Sequence, residues 1–526
     1  MMKPFFLRTF CQLAGCVFAT LSFAQALIAA DPSRPNIVYI LADDLGYGDL
    51  SCYNEQSKIP TPNVDRLAAE GMRFTDAHTP SAVCTPTRYG ILTGRYCWRT
   101  RLTKRVLDGL DPPLIEADQV TVPGFLRDHG YSTHCVGKWH LGMQFTDREG
   151  KPVPAVPVDR RTPPRPGRDV DYEQPITGGP IDRGFDSYFG ISASLNMPPL
   201  CFLRDDRPVI LPTIDSPRMK TDFISVDAGM RSPEFTIASV MPRLAGEATD
   251  CIRQACQTPD KPFFLYLPLT SPHLPVVPNQ EYLGLSQAGL YGDFVVETDA
   301  LVGAVIDELD RCGIADNTLV IFTSDNGGLY HAWDAAEADD VKHYRPSKRG
   351  ESVRAMGHQG NRHLRGTKAD IWEGGHRVPF VVRWPGKTPA GTVSDELIEL
   401  TDLIATCAAM LGKPLPEGAG PDSLNMLPAL LAAKPPQPVR EFAVHHSLWG
   451  HFAIRQGPWK MIPQRGSGGF TRPREIDPDK EGGPAGQLYH LGDDPSETKN
   501  LWDQHPEVVA ELQSRLRQIQ AADVAP

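Results

Sequence analysis

The feature that most constrains the fold is a pattern that recurs four times along the chain: a short apolar run that ends directly in polar or charged residues. Runs of this length and composition are typical of buried β-strands. Their polar ends are Asp43 and Asp44, Lys138 and His140, His273, and Asp325 and Asn326. Segments with helical spacing lie between the runs, and this alternation predicts an α/β sheet covered on both faces. Open sheets of this kind bind ligands beyond the ends of their strands, where these polar residues lie.

The other elements divide the 526-residue chain into a large domain and a small one. Helices are predicted over 61–74 and 291–313, within a large domain at 31–434. From there the pattern changes to short strands of antiparallel type, followed by an amphipathic helix over 505–520. We therefore expect a small C-terminal α+β subdomain with a short antiparallel sheet over 435–526.

The N-terminal segment, residues 1–30, is predicted to be a secretory signal peptide. Lys3 and Arg8 give it a basic start, an apolar run follows, and small residues lead to cleavage after Ala26 or Ala30. A lipid anchor at Cys16 is disfavoured because this cysteine lies inside the apolar run instead of after it. No later run is long enough to cross a bilayer. We expect an exported protein, periplasmic or secreted, with no stable membrane span.

Composition bears on partners and on cysteine chemistry. The net charge is -11 and there is no basic block, so nucleic acid is not an expected partner. Nine cysteines follow the signal peptide. An odd number in an exported protein indicates at least one unpaired thiol. Cys84 is the candidate for that thiol, and the pairing of the others stays open.

The two acidic pairs are candidates for a metal site. Asp43–Asp44 and Asp325–Asn326 each follow a predicted strand, and Ca2+ or Mg2+ prefers such carboxylate and amide oxygens. Either pair alone is better explained by loop acids that cap the next helix. The metal site therefore depends on a fold that brings both pairs together.

The surroundings of Cys84 suit an anionic group. Pro86 fits the first turn of a helix, and Arg88 lies on the same helix face as Cys84 if the helix has begun there. A side chain at a helix N-terminus beside a cation meets positive potential. Without further context, a packed cysteine with a surface arginine explains the same residues.

The stretch "CTPTR" at residues 84–88, followed by "LTGR", resembles the signature of the type I sulfatases. Seven further segments resemble that family in the family's order, so the resemblance covers nearly the whole mature chain. They are "PNIVYILADDLGYGD", "GKWHLG", "SPHLP", "SDNGG", "LRGTKADIWEGGHRVPF" and the C-terminal pair "AIRQGPWKMI" and "LYHLGDDPSETKNL". Arylsulfatase A-like and N-acetylgalactosamine-6-sulfatase-like members are the most similar. Thr87 departs from the usual serine but keeps the hydroxyl.

The resemblance implies an alkaline-phosphatase-like large mixed sheet flanked by helices. It also implies that a maturation enzyme oxidises Cys84 to formylglycine before export. One hydroxyl of the hydrated aldehyde then attacks sulfur, and the other expels sulfate. The resemblance further implies one Ca2+, with Mg2+ as an alternative. The implied ligands are Asp43, Asp44, Asp325, Asn326 and the modified Cys84.

By the same resemblance, the remaining polar residues have distinct roles. Arg88 orients the nucleophile, and Lys138 and Lys368 bind sulfate oxygens. His140 takes a proton from the nucleophile, and His273 protonates the leaving oxygen. Each residue alone has a plainer reading, such as a surface residue at a strand end, a turn histidine or a solvated helix lysine. Strand alternation is expected to put Lys138 and His140 on the same side, which favours a joint role.

The expected function is hydrolysis of a sulfate ester, of a sulfated glycan or an aryl sulfate. Two alternatives stay open: a phosphate or phosphonate ester hydrolase on the same scaffold, and a non-catalytic glycan-binding relative. The second is disfavoured because every residue of the implied nucleophile and metal set is present. The sequence permits modification of Cys84 but does not establish it.

Overall fold

The computed structural model describes residues 34–155, 165–332 and 348–522. The predicted signal peptide lies outside the described residues. The strands are β1 Asn36–Asp43, β2 Met72–Phe74, β3 Ala77–His78, β4 Ser132–Lys138, β5 Ser187–Ile191, β6 Leu203–Arg204, β7 Arg207–Pro208, β8 Ile214–Ser216, β9 Met219–Lys220, β10 Ser225–Val226, β11 Gly229–Arg231, β12 Phe263–Pro272, β13 Thr318–Ser324, β14 Phe380–Arg383, β15 Thr392–Ser394, β16 Ile398–Glu399, β17 Phe442–His446, β18 Phe452–Gln456, β19 Trp459–Ile462 and β20 Gln487–His490.

The α-helices are α1 Pro62–Glu70, α2 Cys84–Thr93, α3 Val122–Asp128, α4 Val240–Ala255, α5 Gly289–Arg311, α6 Lys348–Ala355, α7 Glu373–His376, α8 Leu403–Leu411, α9 Leu427–Leu431, α10 Pro478–Glu481 and α11 Pro506–Ala521. None of the helices in the described ranges is both long enough and apolar enough to span a bilayer.

A ten-stranded mixed sheet forms the centre of the molecule, in the order β15-β2-β14-β13-β1-β12-β4-β5-β6-β7. The five middle strands, from β13 to β5, are parallel to one another. Strands β14 and β6 pair antiparallel with them at either side. The four runs predicted from the sequence are β1, β4, β12 and β13, and they lie side by side. Their carboxyl ends therefore meet at one edge of the sheet.

Both faces of the sheet are covered, as the sequence predicts, and β1 shows why. Its alternate residues belong to two different cores: Ile37, Tyr39 and Leu41 pack on one face, and Val38, Ile40 and Ala42 pack on the other. Side chains alternate across a strand, so a strand buried on both sides reads as a continuous apolar run. Residues of α2, α3 and α8 cover the first face, and those of α1, α4 and α5 cover the second.

The helix predicted over 61–74 is too long. Helix α1 ends at Glu70, and Met72–Phe74 is the short strand β2, which pairs with β14. Gly71 marks the change because a Cβ atom there would lie 2.0 Å from the carbonyl oxygen of Val382. Only glycine permits so close an approach of two backbones. The pairing with β14 is a tertiary contact that helical spacing does not reveal.

The C-terminal region forms a four-stranded antiparallel sheet, β17-β18-β19-β20, with α11 packed against it. Its core includes Val444, Ile454 and Leu488 from the sheet and Leu512 and Leu516 from the helix. This agrees with the short antiparallel sheet and the terminal helix expected from the sequence.

A buried polar cluster joins this small sheet to the large one. Lys460 on β19 lies 3.0 Å from Glu373 and 3.0 Å from His376 Nε2 on α7. His376 Nδ1 is 3.1 Å from His78 Nδ1, and His78 Nε2 is 2.9 Å from Asp76. His445 on β17 stacks on His376, with ring centroids 3.9 Å apart. Both nitrogens of His78 and His376 therefore have hydrogen-bond partners, which makes this cluster a structural link and a poor metal site.

Candidate active site

Cys84 is the first residue of α2. Val83 before it is extended, with φ -146° and ψ 157°, so the chain turns into the helix at the cysteine itself. Pro86 lacks an N–H group and fits the first turn, where helix N–H groups have no helical acceptor. The Cys84 side chain is buried. The prediction of a cysteine at a helix start is confirmed.

Arg88, one turn along α2, ties this helix to the ends of three strands. Its Nε and Nη2 donate to Asp325 Oδ2 at 3.0 and 2.7 Å, just beyond β13. Its Nη1 donates to the Lys138 carbonyl at 2.8 Å, at the end of β4. Its Nη2 is also 3.4 Å from Asp43 Oδ2, at the end of β1. Burial lowers the pKa of Arg88, but the charges of Asp325 and Asp43 outweigh it and raise the pKa above its usual value.

The fold brings the two acidic pairs together because β1 and β13 are neighbours. Asn326 Nδ2 donates to Asp44 Oδ1 at 2.8 Å, and the Asp44 N–H donates to Asp325 Oδ1 at 3.3 Å. Three further oxygens of the group are buried and have no hydrogen-bond partner among the described residues: Asp43 Oδ1, Asp44 Oδ2 and Asn326 Oδ1. Buried oxygens without a partner are costly. These residues therefore fit a calcium or magnesium ion.

His273 lies beside these oxygens. One oxygen each from Asp43 and Asp44 and one ring nitrogen of His273 lie within 4.8 Å of one another. His273 Nε2 is 3.7 Å from Asp44 Oδ2. Because Ca2+ and Mg2+ prefer oxygen to nitrogen, the carboxylates and the Asn326 amide suit the ion better than the imidazole does. His273 is thus left for proton chemistry.

Charges in the site are balanced. Three buried carboxylates, of Asp43, Asp44 and Asp325, face three buried cations, of Arg88, Lys138 and Lys368. Lys138 Nζ is 2.5 Å from Asp43 Oδ2, and Lys368 Nζ is 2.6 Å from Asp44 Oδ1. A divalent cation held by these carboxylates would make the net charge of this group positive. A positive, desolvated pocket favours an anionic substrate.

The carboxylates differ in their titration. Burial alone would raise the pKa of Asp43, but Lys138, His273 and Arg88 hold it well below its usual range. For Asp44 and Asp325, burial and the neighbouring Asp43 charge prevail over the cations and raise the pKa. Burial also raises the pKa of the Cys84 thiol, against the opposing effect of Lys138 and Lys368. An unmodified Cys84 is therefore a neutral thiol at pH 7.

Two histidines face the site with a free ring nitrogen each. His140 Nε2 donates to the Leu107 carbonyl at 2.8 Å, so Nδ1 carries no proton and can accept one. His140 Nδ1 is buried and has no hydrogen-bond partner among the described residues. His273 Nδ1 donates to the Leu274 carbonyl at 2.5 Å, so Nε2 is its free nitrogen. Burial, with Lys138 for His140 and Lys368 for His273, lowers both pKa values well below the usual one.

Two of the predicted residues reach the site by local geometry that differs from the expectation. Strand β4 ends at Lys138, and His140 has a left-handed backbone with φ 56°, so strand alternation does not place these two side chains. The His140 backbone is held instead by its N–H bond to the Ser192 carbonyl at 2.9 Å. Lys368 is buried in a turn and is not a solvated helix lysine.

The C-terminal subdomain supports the Lys368 turn. The Leu448 N–H, between β17 and β18, donates to the Ala369 carbonyl at 3.0 Å, and the Ala369 N–H donates to the Ala82 carbonyl at 2.8 Å. Asp370 accepts from the Phe470 N–H at 2.8 Å. One line of contacts therefore runs from the small sheet through the lysine turn to the segment before Cys84.

Comparison with known proteins agrees with this geometry. The sulfatase family model matches residues 35–413 of the chain. The chain belongs to the sulfatase family. It is 33% identical to an N-acetylgalactosamine-6-O-sulfatase of Bacteroides thetaiotaomicron, over 92% of this chain and 93% of that protein. It is 32% identical to arylsulfatase A of Bos taurus, over 95% of this chain and 89% of the bovine protein.

A solved sulfatase structure has the same architecture. It comes from work on the metabolism of multiple glycosaminoglycans by Bacteroides thetaiotaomicron, and its TM-score to the present chain is 0.76 at 32% identity. The alignment covers 93% of this chain and all of that one. The protein is accordingly a sulfatase, an enzyme that hydrolyses sulfate esters, on an alkaline-phosphatase-like fold.

Sequence reasoning missed polar residues that follow a fifth strand. Ser192 and Ser194 come directly after β5, the neighbour of β4, at the same edge of the sulfatase sheet. Their hydroxyl groups are buried and have no hydrogen-bond partner within the described ranges. The signal was present, because "SYFGI" is an apolar run that also ends in polar residues. These hydroxyls are candidates for contacts with the substrate.

Proposed function

We propose that this sulfatase removes sulfate from a sulfated amino sugar of a glycan, with Cys84 converted to formylglycine and one calcium ion in the site. One observation carries the proposal: a buried helix-start cysteine lies among three buried cations and two histidines that each have one free ring nitrogen. The relative named N-acetylgalactosamine-6-O-sulfatase, which matches over 92% of the chain, supports the glycan class. The N-terminal segment supports an exported enzyme.

The chemistry of sulfate ester cleavage fits the charges of the site. The sulfuryl oxygens carry negative charge throughout the reaction, so fixed cations at those oxygens lower the barrier. Lys138 and Lys368 are the cations whose ammonium groups donate to these oxygens. In the absence of a substrate, each ammonium pairs with a carboxylate of the acidic pairs. Lys138 and Lys368 can therefore exchange a carboxylate oxygen for a sulfate oxygen.

Cys84 supplies the nucleophile once it is modified. A hydrated formylglycine offers two hydroxyls on one carbon, one to attack sulfur and one to release the sulfate again. A plain thiol at this position is neutral, because burial raises its pKa, and it lacks the second hydroxyl. Arg88 fixes the start of α2 against Asp325 and the Lys138 carbonyl.

A bound calcium would be held by Asp43, Asp44, Asp325 and Asn326, and it would supply a positive charge for the nucleophile and the sulfate. The free oxygens of Asp43, Asp44 and Asn326 support this assignment. The two histidines have complementary tasks. His140 Nδ1 accepts a proton, because the Leu107 carbonyl fixes the proton of this ring at Nε2. Burial disfavours the doubly protonated form of His273, and the Asp43 charge favours it. In that form His273 Nε2 can donate a proton to the leaving oxygen.

The experiment compares hydrolysis of 6-sulfated N-acetylgalactosamine, an aryl sulfate and an aryl phosphate by purified enzyme with added Ca2+. We expect sulfate release from the sugar and the aryl sulfate, at least about 100-fold lower turnover of the phosphate, and none in Cys84→Ala. Faster turnover of the phosphate would favour the phosphate esterase alternative. Aryl sulfate turnover without release from the 6-sulfated sugar would contradict the proposed substrate class.

A further inference from the structure

Two cysteines outside the active site lie at the carboxyl ends of neighbouring helices. Cys256 follows the last residue of α4, and Cys312 follows the last residue of α5. Both helices pack on the same face of the sheet as part of one core, through residues such as Ile252 and Leu309. The two ends are therefore held side by side.

Contacts at these helix ends bring the two thiols together. Arg253 Nε on α4 is 3.2 Å from Glu308 Oε1 on α5. The Cys256 Sγ lies 3.1 Å from the Arg253 carbonyl, and the Cys312 Sγ lies 3.7 Å from the same Glu308 oxygen. Burial raises the pKa of the Cys312 thiol, and the neighbouring Cys256 thiol raises it further. Both residues are half-buried, so a small oxidant can reach them.

We propose that Cys256 and Cys312 form a disulfide in the exported enzyme. The inference rests on the proposed export and not on the sulfatase chemistry. The oxidant is a small-molecule or protein disulfide. One thiolate attacks it to give a mixed disulfide, and the second thiol displaces the carrier. The S–S bond then forms, and the two electrons and two protons lost by the cysteines reduce the oxidant to its two thiols.

Other cysteines are poorer partners. Cys135, Cys201 and Cys407 are fully buried on separate elements, and Cys84 is needed as the nucleophile. Cys251 lies on α4, more than one helical turn before Cys256, whereas Cys312 follows the end of the neighbouring helix α5. Cys251 is therefore the matched control: a cysteine on the same helix that is expected to stay reduced.

A bridge between Cys256 and Cys312 would close a loop that contains β12, His273 and α5. Cross-links that close long loops restrict the unfolded chain and stabilise the folded one. Because β12 carries His273 at its end, the bridge would secure the strand that supports one side of the active site.

The test uses the full-length mature enzyme, equilibrated in parallel with oxidised glutathione and with a strong dithiol reductant. Peptide mapping by mass spectrometry is expected to find the Cys256 and Cys312 peptides linked, with two hydrogens lost, only after oxidation. The thermal midpoint should then rise by about 4 °C. Cys256→Ser and Cys312→Ser should each abolish the link and the rise, and Cys251→Ser should keep both.

Two results would overturn the proposal: both thiols still alkylated after oxidation, or Cys256 linked to Cys251 instead. A bond that forms without a change in the thermal midpoint would contradict the stabilising role. Sulfatase activity of the reduced enzyme is measured alongside, so a failure of the proposed function and a failure of the bridge are seen separately.

Discussion

Arg88 Nε and Nη2 donate to a single oxygen of Asp325, at 3.0 and 2.7 Å. This contact joins the helix that begins with the nucleophile to the strand end that carries two proposed metal ligands. A guanidinium makes such a forked contact and a lysine ammonium does not. The position of Cys84 relative to the metal site therefore depends on the shape of Arg88 as well as its charge.

The first prediction concerns this contact. Arg88→Lys is expected to lower kcat by about 100-fold or more while the protein stays folded, since the charge is kept and the geometry is lost. Arg440→Lys is the control, because Arg440 makes a comparable buried contact to Asp402, with Nε 2.9 Å from Oδ2, away from the site. Steady-state kinetics of both variants test this prediction. An equal loss of kcat in Arg88→Lys and Arg440→Lys would contradict it.

The second prediction concerns the metal. Removal of divalent ions with a chelator is expected to abolish activity and lower the thermal midpoint, and Ca2+ should restore both, because binding to the folded state alone is stabilising. Asp44→Asn should lose the Ca2+-dependent rise of the midpoint. Asp299→Asn is the control, since Asp299 is a buried aspartate that accepts from the Val64 N–H at 2.8 Å. A full Ca2+ response in Asp44→Asn would rule out Asp44 as a ligand.

The third prediction separates the two histidines. If His273 protonates the leaving oxygen, His273→Asn should lower kcat/KM strongly for a sulfated sugar and little for a nitrophenyl sulfate, whose leaving group needs no proton. His140→Asn should impair both substrates, since its Nδ1 acts on the nucleophile. The measurement is the ratio of the two kcat/KM values in each variant. An unchanged ratio in His273→Asn would exclude the acid role.

Much of the site can be predicted from the sequence because the carboxyl ends of parallel strands meet at one edge of the sheet. Asp43, His273 and Asp325 are far apart in the chain, but each ends an apolar run, and such runs pack side by side in an α/β sheet. The pairing itself was not predictable from spacing. The β-structure of Met72–Phe74 depends on a neighbour more than 300 residues away.

Features that depend on tertiary contacts could not be read from the sequence. The left-handed backbone of His140 is held by a carbonyl from another strand end. The Lys368 turn is held by the C-terminal subdomain. The buried link of Lys460, His376 and His78 has no signal in the local sequence. Each of these residues is on a different element, and only the folded chain brings them into contact.

The fourth prediction concerns this link. Burial lowers the pKa of His445, with a further contribution from His78 and Lys460. Folded His445 thus stays neutral at a pH where the unfolded chain binds a proton, so its contribution to stability is lost as pH falls below about 6.5. His445→Asn removes this proton but can keep the bond that Nδ1 donates to the Thr79 carbonyl at 2.9 Å.

Urea unfolding at several pH values checks the fourth prediction. The variant is expected to be less stable than the wild type at pH 7.5. The difference in free energy of unfolding between the two proteins should shrink by about 1.4 kcal/mol per pH unit below about pH 6.5. Neighbouring groups titrate in both proteins, so the difference isolates His445. A difference that stays constant with pH would show that His445 does not bind an extra proton on unfolding.

The central claim is that Cys84 becomes the nucleophile by conversion to formylglycine. Its most direct test is mass spectrometry of the peptide that contains Cys84, from enzyme made in its own host. The account predicts a peptide that lacks one sulfur and two hydrogens and has gained one oxygen, and that is lost in Cys84→Ala. An active preparation in which this peptide keeps an unmodified thiol would contradict it.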